Sequence, residues 1–335
     1  MQLSKRKNLS LSKKDLTIVV PVYNEEESIP ELLEWIFRVI DSNNISTEVL
    51  MIDDGSTDTS WSVIKNSAAQ DSRVVGLRFN RNHGKSAALQ TGFDRAEGEI
   101  VITMDADMQD SPDEIPDLIK LIQDQNLHIV SGWKKERHDP ISKTAPSKLF
   151  NWVTRKVSGI KLHDFNCGLK AYRLDVVKNI HVYGEMHRYI PLIAKWNGFN
   201  RIQEKVVEHR ARKYGTTKYG MKRFITGFLD LLSVTFVSRF KKNPMHFFGA
   251  FGSLSFMGGF FLTIWVIAEK LYRQYHHLKT RDVVDQPLFF LALVALIIGM
   301  QLFLAGFLAE MMIQVNHKKG DYLISEKTDD TKGNA

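Results

Sequence analysis

Two long stretches without a charged residue set the strongest limit on what this chain can fold into. They run from Phe247 to Ala268 and from Pro287 to Ala309, and they contain 22 and 23 residues. A helix of about 20 apolar residues is long enough to cross the hydrocarbon core of a bilayer. Helices this long and this apolar are rare in the cores of soluble proteins. The sequence therefore predicts a two-helix transmembrane domain over residues 244–314.

The segments beside the two predicted spans are basic. Residues 224–243 have an amphipathic pattern that ends in cations, which predicts a juxtamembrane helix at the membrane interface. Residues 1–15 are a basic tail that we expect to be mobile, and residues 315–335 form a second tail. Because basic flanks and folded domains stay in the cytoplasm, we expect an integral inner (plasma) membrane protein with both termini cytoplasmic. Small residues four apart, such as Gly249 and Ser253, permit close helix packing within one chain or in a homo-oligomer.

The composition narrows the class of protein further. The 335 residues carry a formal net charge of +7, from 45 basic and 38 acidic residues, which suits a membrane surface, a phosphate-rich ligand or a nucleic acid. Nucleic-acid binding would leave the spans and the acidic loops at the predicted strand ends unexplained, so we expect no nucleic-acid partner. Cys167 is the one cysteine, which excludes an internal disulfide framework. We interpret it as a small buried filler.

Residues 16–223 alternate between apolar runs and amphipathic segments. Five runs are predicted to be buried strands: Leu16–Val22, Val49–Ile52, Val74–Phe79, Ile100–Met104 and Leu127–Val130. Their alternation with helical patterns predicts an α/β domain with a mostly parallel, Rossmann-like sheet. Ser28 with Glu31, and Ser111 with Glu114, have the spacing of capping boxes at two helix starts.

Acidic side chains follow three of the predicted strands. Glu25 comes after the first strand, Asp53 after the second, and Asp105 and Asp107 after the fourth. Because open α/β sheets bind ligands at the carboxyl ends of their strands, these loops predict one shared site. With Gln109, the last two aspartates place three oxygen ligands within five residues, a set that suits Mg²⁺ or Mn²⁺ beside a diphosphate. The first loop has no glycine, which argues against a nicotinamide-binding fold.

Four motifs together resemble a known enzyme family. They are Pro21-Val22-Tyr23-Asn24-Glu25, Asp53-Asp54-Gly55-Ser56 with Asp58, Asn82-His83-Gly84-Lys85, and Asp105-Ala106-Asp107-Met108-Gln109-Asp110. As a set they resemble the inverting family 2 glycosyltransferases with a GT-A fold, and within these the polyprenyl-phosphate glycosyltransferases. The resemblance extends over residues 16–315. It implies a cytoplasmic GT-A domain over 16–223 that transfers a sugar from a nucleotide sugar to a polyprenyl phosphate lipid in the membrane, for cell-envelope or glycan assembly.

The resemblance also implies roles for particular residues. The metal, Mg²⁺ or Mn²⁺, would bind Asp105, Asp107 and Gln109. The implied catalytic residues are Asp107, Asp164 and Lys218, with Asp164 near the anomeric carbon. The implied nucleotide-sugar site consists of Pro21, Tyr23, Asn24, Glu25, Asp53, Lys85, Asp105, Ala106, Arg212 and Lys218. The loop Arg212–Lys218 resembles the family's Arg-x-x-Gly-x-Ser-Lys segment, and cations at both ends of such a loop can clamp a diphosphate.

Basic residues after the fifth strand are interpreted as a site for the acceptor phosphate. They are Lys134, Arg137, Lys148 and Arg155, with the apolar Trp152 and Val153 among them. Cations mixed with apolar surface suit a lipid phosphate at the membrane edge. The family often has an arginine after Gly-Ser at this strand end. This chain has Ser-Gly followed by Trp133 there, so Lys134 or Arg137 would have the role of that arginine.

The predicted reaction displaces a nucleoside diphosphate, favoured to be UDP, from the anomeric carbon by the lipid phosphate. A phosphate monoester is largely dianionic at neutral pH, because its second pKa is about 6, and so it needs no strong general base. Three alternatives remain open: a glycosyltransferase with a hydroxyl acceptor, a processive polysaccharide synthase, and a membrane scaffold or lipid-transfer subunit that kept the fold. A synthase would carry a Gln-x-x-Arg-Trp helix and more spans, which the sequence lacks, and the intact aspartates argue against a scaffold.

Overall fold

The computed structural model describes residues 14–135, 151–156, 158–210, 243–279 and 281–316. The chain divides into two compact units, residues 1–235 and 236–335. Several predicted segments lie wholly or largely outside the described residues. They are the two tails, the juxtamembrane helix at 224–243 and the Arg212–Lys218 loop.

In the described part of the first unit, seven strands form one sheet. In chain order they are β1 (Leu16–Val22), β2 (Thr47–Asp53), β3 (Val74–Arg78), β4 (Ile100–Thr103), β5 (Ile129–Trp133), β6 (Lys170–Arg173) and β7 (Ile202–Val206). Their spatial order is β3-β2-β1-β4-β6-β5-β7. All neighbouring pairs are parallel except those of β6, which runs antiparallel to β4 and to β5. The predicted mostly parallel sheet is therefore confirmed.

Helices cover both faces of this sheet. They are α1 (Ile29–Ser42), α2 (Ser60–Gln70), α3 (Lys85–Arg95), α4 (Ile115–Asp124), α5 (Leu174–Asn179) and α6 (Ile190–Trp196), with short 3₁₀ turns at Pro112–Glu114 and Met186–Tyr189. In β1, Ile18 and Val20 pack in the core cluster that includes α1, whereas Val19 packs in the cluster that includes α3. Because strand side chains alternate between faces and both faces are covered, the central strands are continuous apolar runs.

The fifth strand begins later than the sequence predicts. Leu127 is predicted to start it but instead closes the end of α4. Asn126 has a positive φ of 48°, and the N–H of Leu127 donates to the carbonyl of Ile122 (3.0 Å). This is a helix C-terminal cap, in which the residue after the left-handed position returns to the apolar face of the helix. Leu127 is accordingly buried in the same core cluster as Ile122, and the strand starts at Ile129.

The two predicted capping boxes are wrong. Ser28 stands before α1 with helical dihedrals (φ −88°, ψ −26°), and its hydroxyl donates to the carbonyl of Glu25 (3.0 Å). Ser111 precedes a 3₁₀ turn, and its hydroxyl lies 3.3 Å from a carboxylate oxygen of Asp113. In both cases the hydroxyl is engaged elsewhere and does not accept from the first N–H groups of the helix.

The second unit contains a hairpin of two long helices, α7 (Pro244–Tyr275) and α8 (Pro287–Asn316). Both are long and apolar enough to cross a membrane, over Pro244–Tyr275 and Pro287–Met312. Many of their large apolar side chains are exposed, among them Leu254 at 71% and Trp265 at 65%. An apolar helix surface this extensive is typical of a segment that faces lipid and not of the core of a soluble protein. The helices predicted for the two spans are therefore confirmed.

Small residues let α7 and α8 approach closely. A Cβ atom added to Gly252 would lie 2.7 Å from the backbone nitrogen of Phe303 and 2.8 Å from the carbonyl oxygen of Gly299. Ser255 donates a hydrogen bond to the carbonyl of Ala295 (2.9 Å) across the same interface. Backbone contact through small residues is typical of helix pairs in membranes, where apolar burial alone does not favour association.

We expect Gly252→Ala to destabilise the helix pair, because the added methyl group meets backbone atoms that cannot move aside. Overpacking of this kind costs about 1–3 kcal/mol. Gly258→Ala, on the same helix, is a matched control, since an added Cβ there meets nothing within 4 Å. The measurement is unfolding of the full chain in detergent micelles titrated with sodium dodecyl sulfate. Equal stability of the two variants would contradict the packing described.

Candidate active site

The loops after β1, β2 and β4 meet at one edge of the sheet, because these three strands are neighbours and parallel. Asn24 joins the first two loops. Its backbone N–H donates to the hydroxyl of Ser56 (2.9 Å), and its side-chain oxygen accepts from the N–H of Thr57 (2.8 Å). Asn24 has a positive φ of 54°, a conformation that asparagine adopts more readily than most residues. Residues 23–25, predicted to belong to the nucleotide-sugar site, are thereby fixed to the loop after β2.

Asp53 ends β2 and Asp54 follows it, and the two organise the loops around them. Asp53 is fully buried; one carboxylate oxygen accepts from the N–H of Ser56 (2.9 Å) and the other lies 3.2 Å from Nε of Arg78. Asp54 accepts from the N–H groups of His83 (2.6 Å) and Gly84 (2.9 Å). Burial raises the pKa of Asp54, although these two bonds oppose the rise. Asp53 thus has internal partners, and its predicted contact with a nucleoside stays a prediction.

Asp54 also determines where α3 begins. The two bonds hold residues 83 and 84 at the end of β2, and Gly84 has a φ of +91°, which favours glycine. Lys85 follows as the first residue of α3. Its ammonium group forms an ion pair with Asp105 at the end of β4. Asp54 belongs to one of the four motifs, but this role could not be predicted, because nothing in its local pattern shows that its partners are backbone groups of a distant loop.

Asp105 lies among three lysines. Burial works to raise the pKa of Asp105, but Lys85, Lys134 and Lys170 outweigh it and hold the pKa below its ordinary value. The carboxylate is 30% exposed, so a ligand can reach it. A Cβ on Gly168 would lie 2.5 Å from this carboxylate, so a side chain at that position would force the carboxylate to move. Asp105 is therefore ionised, accessible and surrounded by positive charge.

Asp107 and Gln109 complete the predicted metal-binding set. Met108 between them has a positive φ of 61°, and the N–H of Gln109 donates to a carboxylate oxygen of Asp107 (3.2 Å). Within the described residues, no three His, Cys, Asp or Glu side chains converge as a metal centre. The set nevertheless fits a hard divalent ion in its chemistry, since it offers carboxylate and amide oxygens, and Asp105 already binds a cation, the ammonium of Lys85.

Lys134 forms a buried ion pair with Asp110, whose side chain is fully buried (Nζ to Oδ1, 2.8 Å). The side chain of Lys134 is 13% exposed. Burial works to lower its pKa, but Asp110 and Asp105 raise the pKa above its ordinary value. Arg155, grouped with it in the predicted acceptor site, is half-buried in the helical segment 151–156, and Arg137 and Lys148 lie outside the described residues. That the four act together on an acceptor stays a prediction.

The chain that leaves β7 is tied to the aspartate loop. Asp110 forms an isolated antiparallel bridge with His209, and the N–H of Arg210 donates to the carbonyl of Gln109 (3.1 Å). The guanidinium of Arg210 lies over the ring of Trp35, 4.3 Å from its centre. The segment that leads into the predicted clamp loop therefore starts beside the predicted metal ligands. Arg212 and Lys218 themselves lie outside the described residues.

Asp164 and Cys167 lie in the segment before β6. Asp164 is 1% exposed, and one of its carboxylate oxygens accepts from the N–H of Asn166 (3.0 Å). Burial raises the pKa of the Cys167 thiol to about 12. A thiol this buried is protonated at neutral pH and unreactive, which agrees with its interpretation as a filler. The role of Asp164 near an anomeric carbon stays a prediction.

The sheet order and the three adjoining acidic loops define this unit as a GT-A fold. Two crystal structures of glucosyl-3-phosphoglycerate synthase from Mycobacterium tuberculosis share it. The complex with Mn²⁺ and uridine-diphosphate-glucose has a TM-score of 0.52 at 19% identity, and covers 68% of this chain and 79% of that one. The complex with uridine-diphosphate has a TM-score of 0.52 at 19% identity, over 66% and 80%.

Sequence comparison gives the family. Residues 17–181 match the Glycosyl transferase family 2 profile. The dodecaprenyl-phosphate galacturonate synthase of Rhizobium johnstonii is 34% identical over 324 residues, 94% of each chain. An undecaprenyl-phosphate 4-deoxy-4-formamido-L-arabinose transferase of Shewanella sediminis is 40% identical over 220 residues, 65% of this chain and 66% of that one. The chain belongs to glycosyl transferase family 2, and the resemblance noted in its motifs is confirmed.

We expect Lys134→Met to lower the free energy of unfolding by about 3–5 kcal/mol, because it leaves the carboxylate of Asp110 buried without its counter-charge. The double variant Lys134→Met/Asp110→Asn should lose less of the free energy of unfolding than Lys134→Met alone. The measurement is urea unfolding of the full chain in detergent, followed by tryptophan fluorescence.

The control is Lys135→Met, at the exposed neighbouring position, which should change the free energy of unfolding by no more than about 0.5 kcal/mol. If Lys134→Met is no more destabilising than this control, the ammonium of Lys134 lies in solvent, and the buried ion pair is wrong.

Proposed function

We propose that this protein transfers a sugar from a UDP-sugar to a membrane polyprenyl phosphate, with inversion at the anomeric carbon. The observation that carries the proposal is the full-length match to a relative named as a dodecaprenyl-phosphate galacturonate synthase, which covers 94% of both chains. A second relative, named for transfer to undecaprenyl phosphate, supports it. Because the match runs from the sheet domain through the two apolar helices, it includes the part of the chain that a lipid acceptor requires.

The donor would bind across the carboxyl ends of β1, β2 and β4. The loops at Asn24 and Asp53 would receive the nucleoside, and Lys85 would pair with a phosphate of the donor. Asp105, Asp107 and Gln109 would hold Mg²⁺ or Mn²⁺, which when bound would supply a Lewis acid to neutralise the charge of the diphosphate. Lys85 forms an ion pair with Asp105, so in this proposal the same ammonium would lie near the place where the charge of the leaving group develops. Arg212 and Lys218 would add further cations there.

The reaction itself is a single displacement. A phosphate oxygen of the lipid forms the new bond to the anomeric carbon, and the bond from that carbon to the β-phosphate oxygen breaks. The electron pair of the broken bond leaves with UDP, so no protein group has to accept a proton when the attacking phosphate is a dianion. At neutral pH it is, since its second pKa is about 6. Asp164 would orient the sugar rather than serve as a general base.

The two helices of the second unit support a place in the membrane. We propose an integral protein of the inner membrane with the sheet domain and both termini in the cytoplasm, because nucleotide sugars are cytoplasmic and basic segments flank the spans. Lys134, Arg137, Lys148 and Arg155 would guide the lipid phosphate, and contact between spans of two chains would give a homo-oligomer.

A matched pair of acceptors tests this function. The purified full chain in detergent, with MnCl₂, is supplied with UDP-glucose, UDP-galactose, UDP-galacturonate or UDP-N-acetylglucosamine, and with either undecaprenyl phosphate or undecaprenol. We expect a sugar on undecaprenyl phosphate and none on undecaprenol, measured by mass spectrometry.

Asp164→Asn keeps the acceptor oxygen for the N–H of Asn166, and we expect it to slow transfer by less than about 100-fold, the lower limit for loss of a general base.

A glycosylated undecaprenol would contradict the proposal and establish a hydroxyl acceptor. Complete loss of transfer in a folded Asp164→Asn protein would also contradict it, since an essential carboxylate at that position implies proton removal from the acceptor.

A further inference from the structure

The aspartate loop, residues 105–110, has a backbone conformation that needs support from outside the loop. Met108 lies between Asp107 and Gln109 and has a φ of 61°, in the left-handed region that a long side chain rarely adopts. Such a conformation persists only where the surroundings hold it. The side chain of Met108 is buried in the core cluster that also contains Trp35 of α1. The contacts around this loop therefore decide how it presents its oxygen-bearing side chains.

The backbone of Gln109 is held by the chain that leaves β7. Its carbonyl accepts from the N–H of Arg210 (3.1 Å), and Asp110 forms an antiparallel bridge with His209. The guanidinium of Arg210 pairs with Glu208 at 3.2 Å, but both of these side chains are exposed. An ion pair this open to water contributes little, so it does not by itself fix the position of Arg210.

Trp35 gives Arg210 a firmer support. The centre of the guanidinium lies 4.3 Å from the centre of the buried Trp35 ring, a stacking contact that arginine makes readily. The indole Nε1–H donates to Oδ1 of Asp113 (3.0 Å), in the 3₁₀ turn that follows the aspartate loop. One side chain of α1 therefore contacts both the residue that holds the backbone of Gln109 and the turn that comes after it.

We propose that Trp35 is a positioning residue for the aspartate loop, and that it acts on Gln109 through Arg210 and Asp113. The inference rests on the proposed function, because it takes Gln109 and Asp107 as ligands of Mg²⁺ or Mn²⁺. A small divalent ion needs its ligands in a defined geometry, and contacts that orient the ligands from outside change metal affinity by about 10- to 100-fold. Trp35 acts through one residue more than such contacts do, so we expect a smaller effect from it.

The competing explanation is that Arg210 binds the diphosphate of the donor directly, since it places a positive charge beside the aspartate loop. The two explanations differ in the binding of UDP without metal. If Arg210 holds the loop, its replacement leaves the affinity for UDP without metal unchanged. If Arg210 contacts the diphosphate, its replacement weakens the binding of UDP with or without metal.

Metal binding by two variants of Arg210 tests the inference. Arg210→Gln removes the cation from the Trp35 ring and keeps the backbone N–H for Gln109, whereas Arg210→Lys keeps a cation at this position. We expect Arg210→Gln to weaken Mn²⁺ binding in the presence of UDP by about threefold or more, and Arg210→Lys to lose less. Electron paramagnetic resonance of free Mn²⁺ measures this affinity for the full chain in detergent. Isothermal titration with UDP in EDTA should give the same affinity for both variants as for the unaltered protein.

Arg38→Gln is the matched control. Arg38 also lies over the Trp35 ring, at 5.9 Å, but it is an exposed residue of α1 itself. Its replacement should change neither the Mn²⁺ affinity nor the UDP affinity. Arg38→Gln and Arg210→Gln should also unfold at the same urea concentration, because a general loss of stability is not the expected cause of weaker Mn²⁺ binding.

A second pair of variants tests whether Arg210 acts through Trp35. In Trp35→Leu, which lacks the aromatic ring, adding Arg210→Gln should weaken Mn²⁺ binding by a smaller factor than Arg210→Gln does in the unaltered protein. The single Arg210 variants decide the matter even where Trp35→Leu does not fold, because the side chain of Arg210 is exposed.

Unchanged Mn²⁺ affinity in Arg210→Gln overturns the inference and leaves the proposed function intact. Weaker binding of UDP in EDTA also overturns it and assigns Arg210 to the donor site. The same loss of Mn²⁺ affinity from Arg210→Gln with and without the Trp35 ring overturns the role of Trp35. If the unaltered protein binds no Mn²⁺ in the presence of UDP, the metal site of the proposed function fails together with the inference.

Discussion

The attraction between Asp105 and the three lysines around it is the interaction on which the rest of the site depends. The lysines come from three different parts of the fold: Lys85 from the start of α3, Lys134 from the residue after β5 and Lys170 from β6. The fold brings them together because β6 runs antiparallel between β4 and β5 and so delivers the segment 165–170 to the aspartate. Concentrated charge of both signs at one strand end is costly to assemble, and the diphosphate and metal ion of the proposed function are a ligand that would make use of it.

The supporting contacts serve to hold these charges in place. Asp54 fixes the loop that presents Lys85, and the buried pair of Lys134 with Asp110 fixes the end of the aspartate loop. Gly168 lets the backbone reach Asp105, whose carboxylate a side chain at this position would displace. A site built in this way is preorganised: the fold holds its cations in place, so under the proposed function they would need little rearrangement as the leaving group gains charge.

Much of this arrangement can be predicted from the sequence. The parts that cannot be predicted differ from the rest in identifiable physical ways. Buried parallel strands are continuous apolar runs, so β1 to β5 are visible locally. In contrast, β6 is four residues long and includes Lys170 and Arg173, and it is a strand only because β4 and β5 pair with it. The roles of Asp54 and Asp110 could not be predicted for the same reason, since their partners are distant in the chain, although both residues lie in the recognised motifs. The capping boxes fail because residue spacing does not specify the backbone dihedrals that a cap needs.

In the proposed function, metal and diphosphate meet at the carboxylates after β4. Mn²⁺ binding in the presence of UDP tests this most directly. Electron paramagnetic resonance of free Mn²⁺ gives the affinity of the full chain. Asp107→Asn retains an oxygen for the N–H of Gln109, and it should weaken Mn²⁺ binding by about tenfold or more. Asp124→Asn, at an exposed position of α4, should bind Mn²⁺ with the same affinity as the unaltered protein. Unchanged Mn²⁺ affinity in Asp107→Asn would contradict the account.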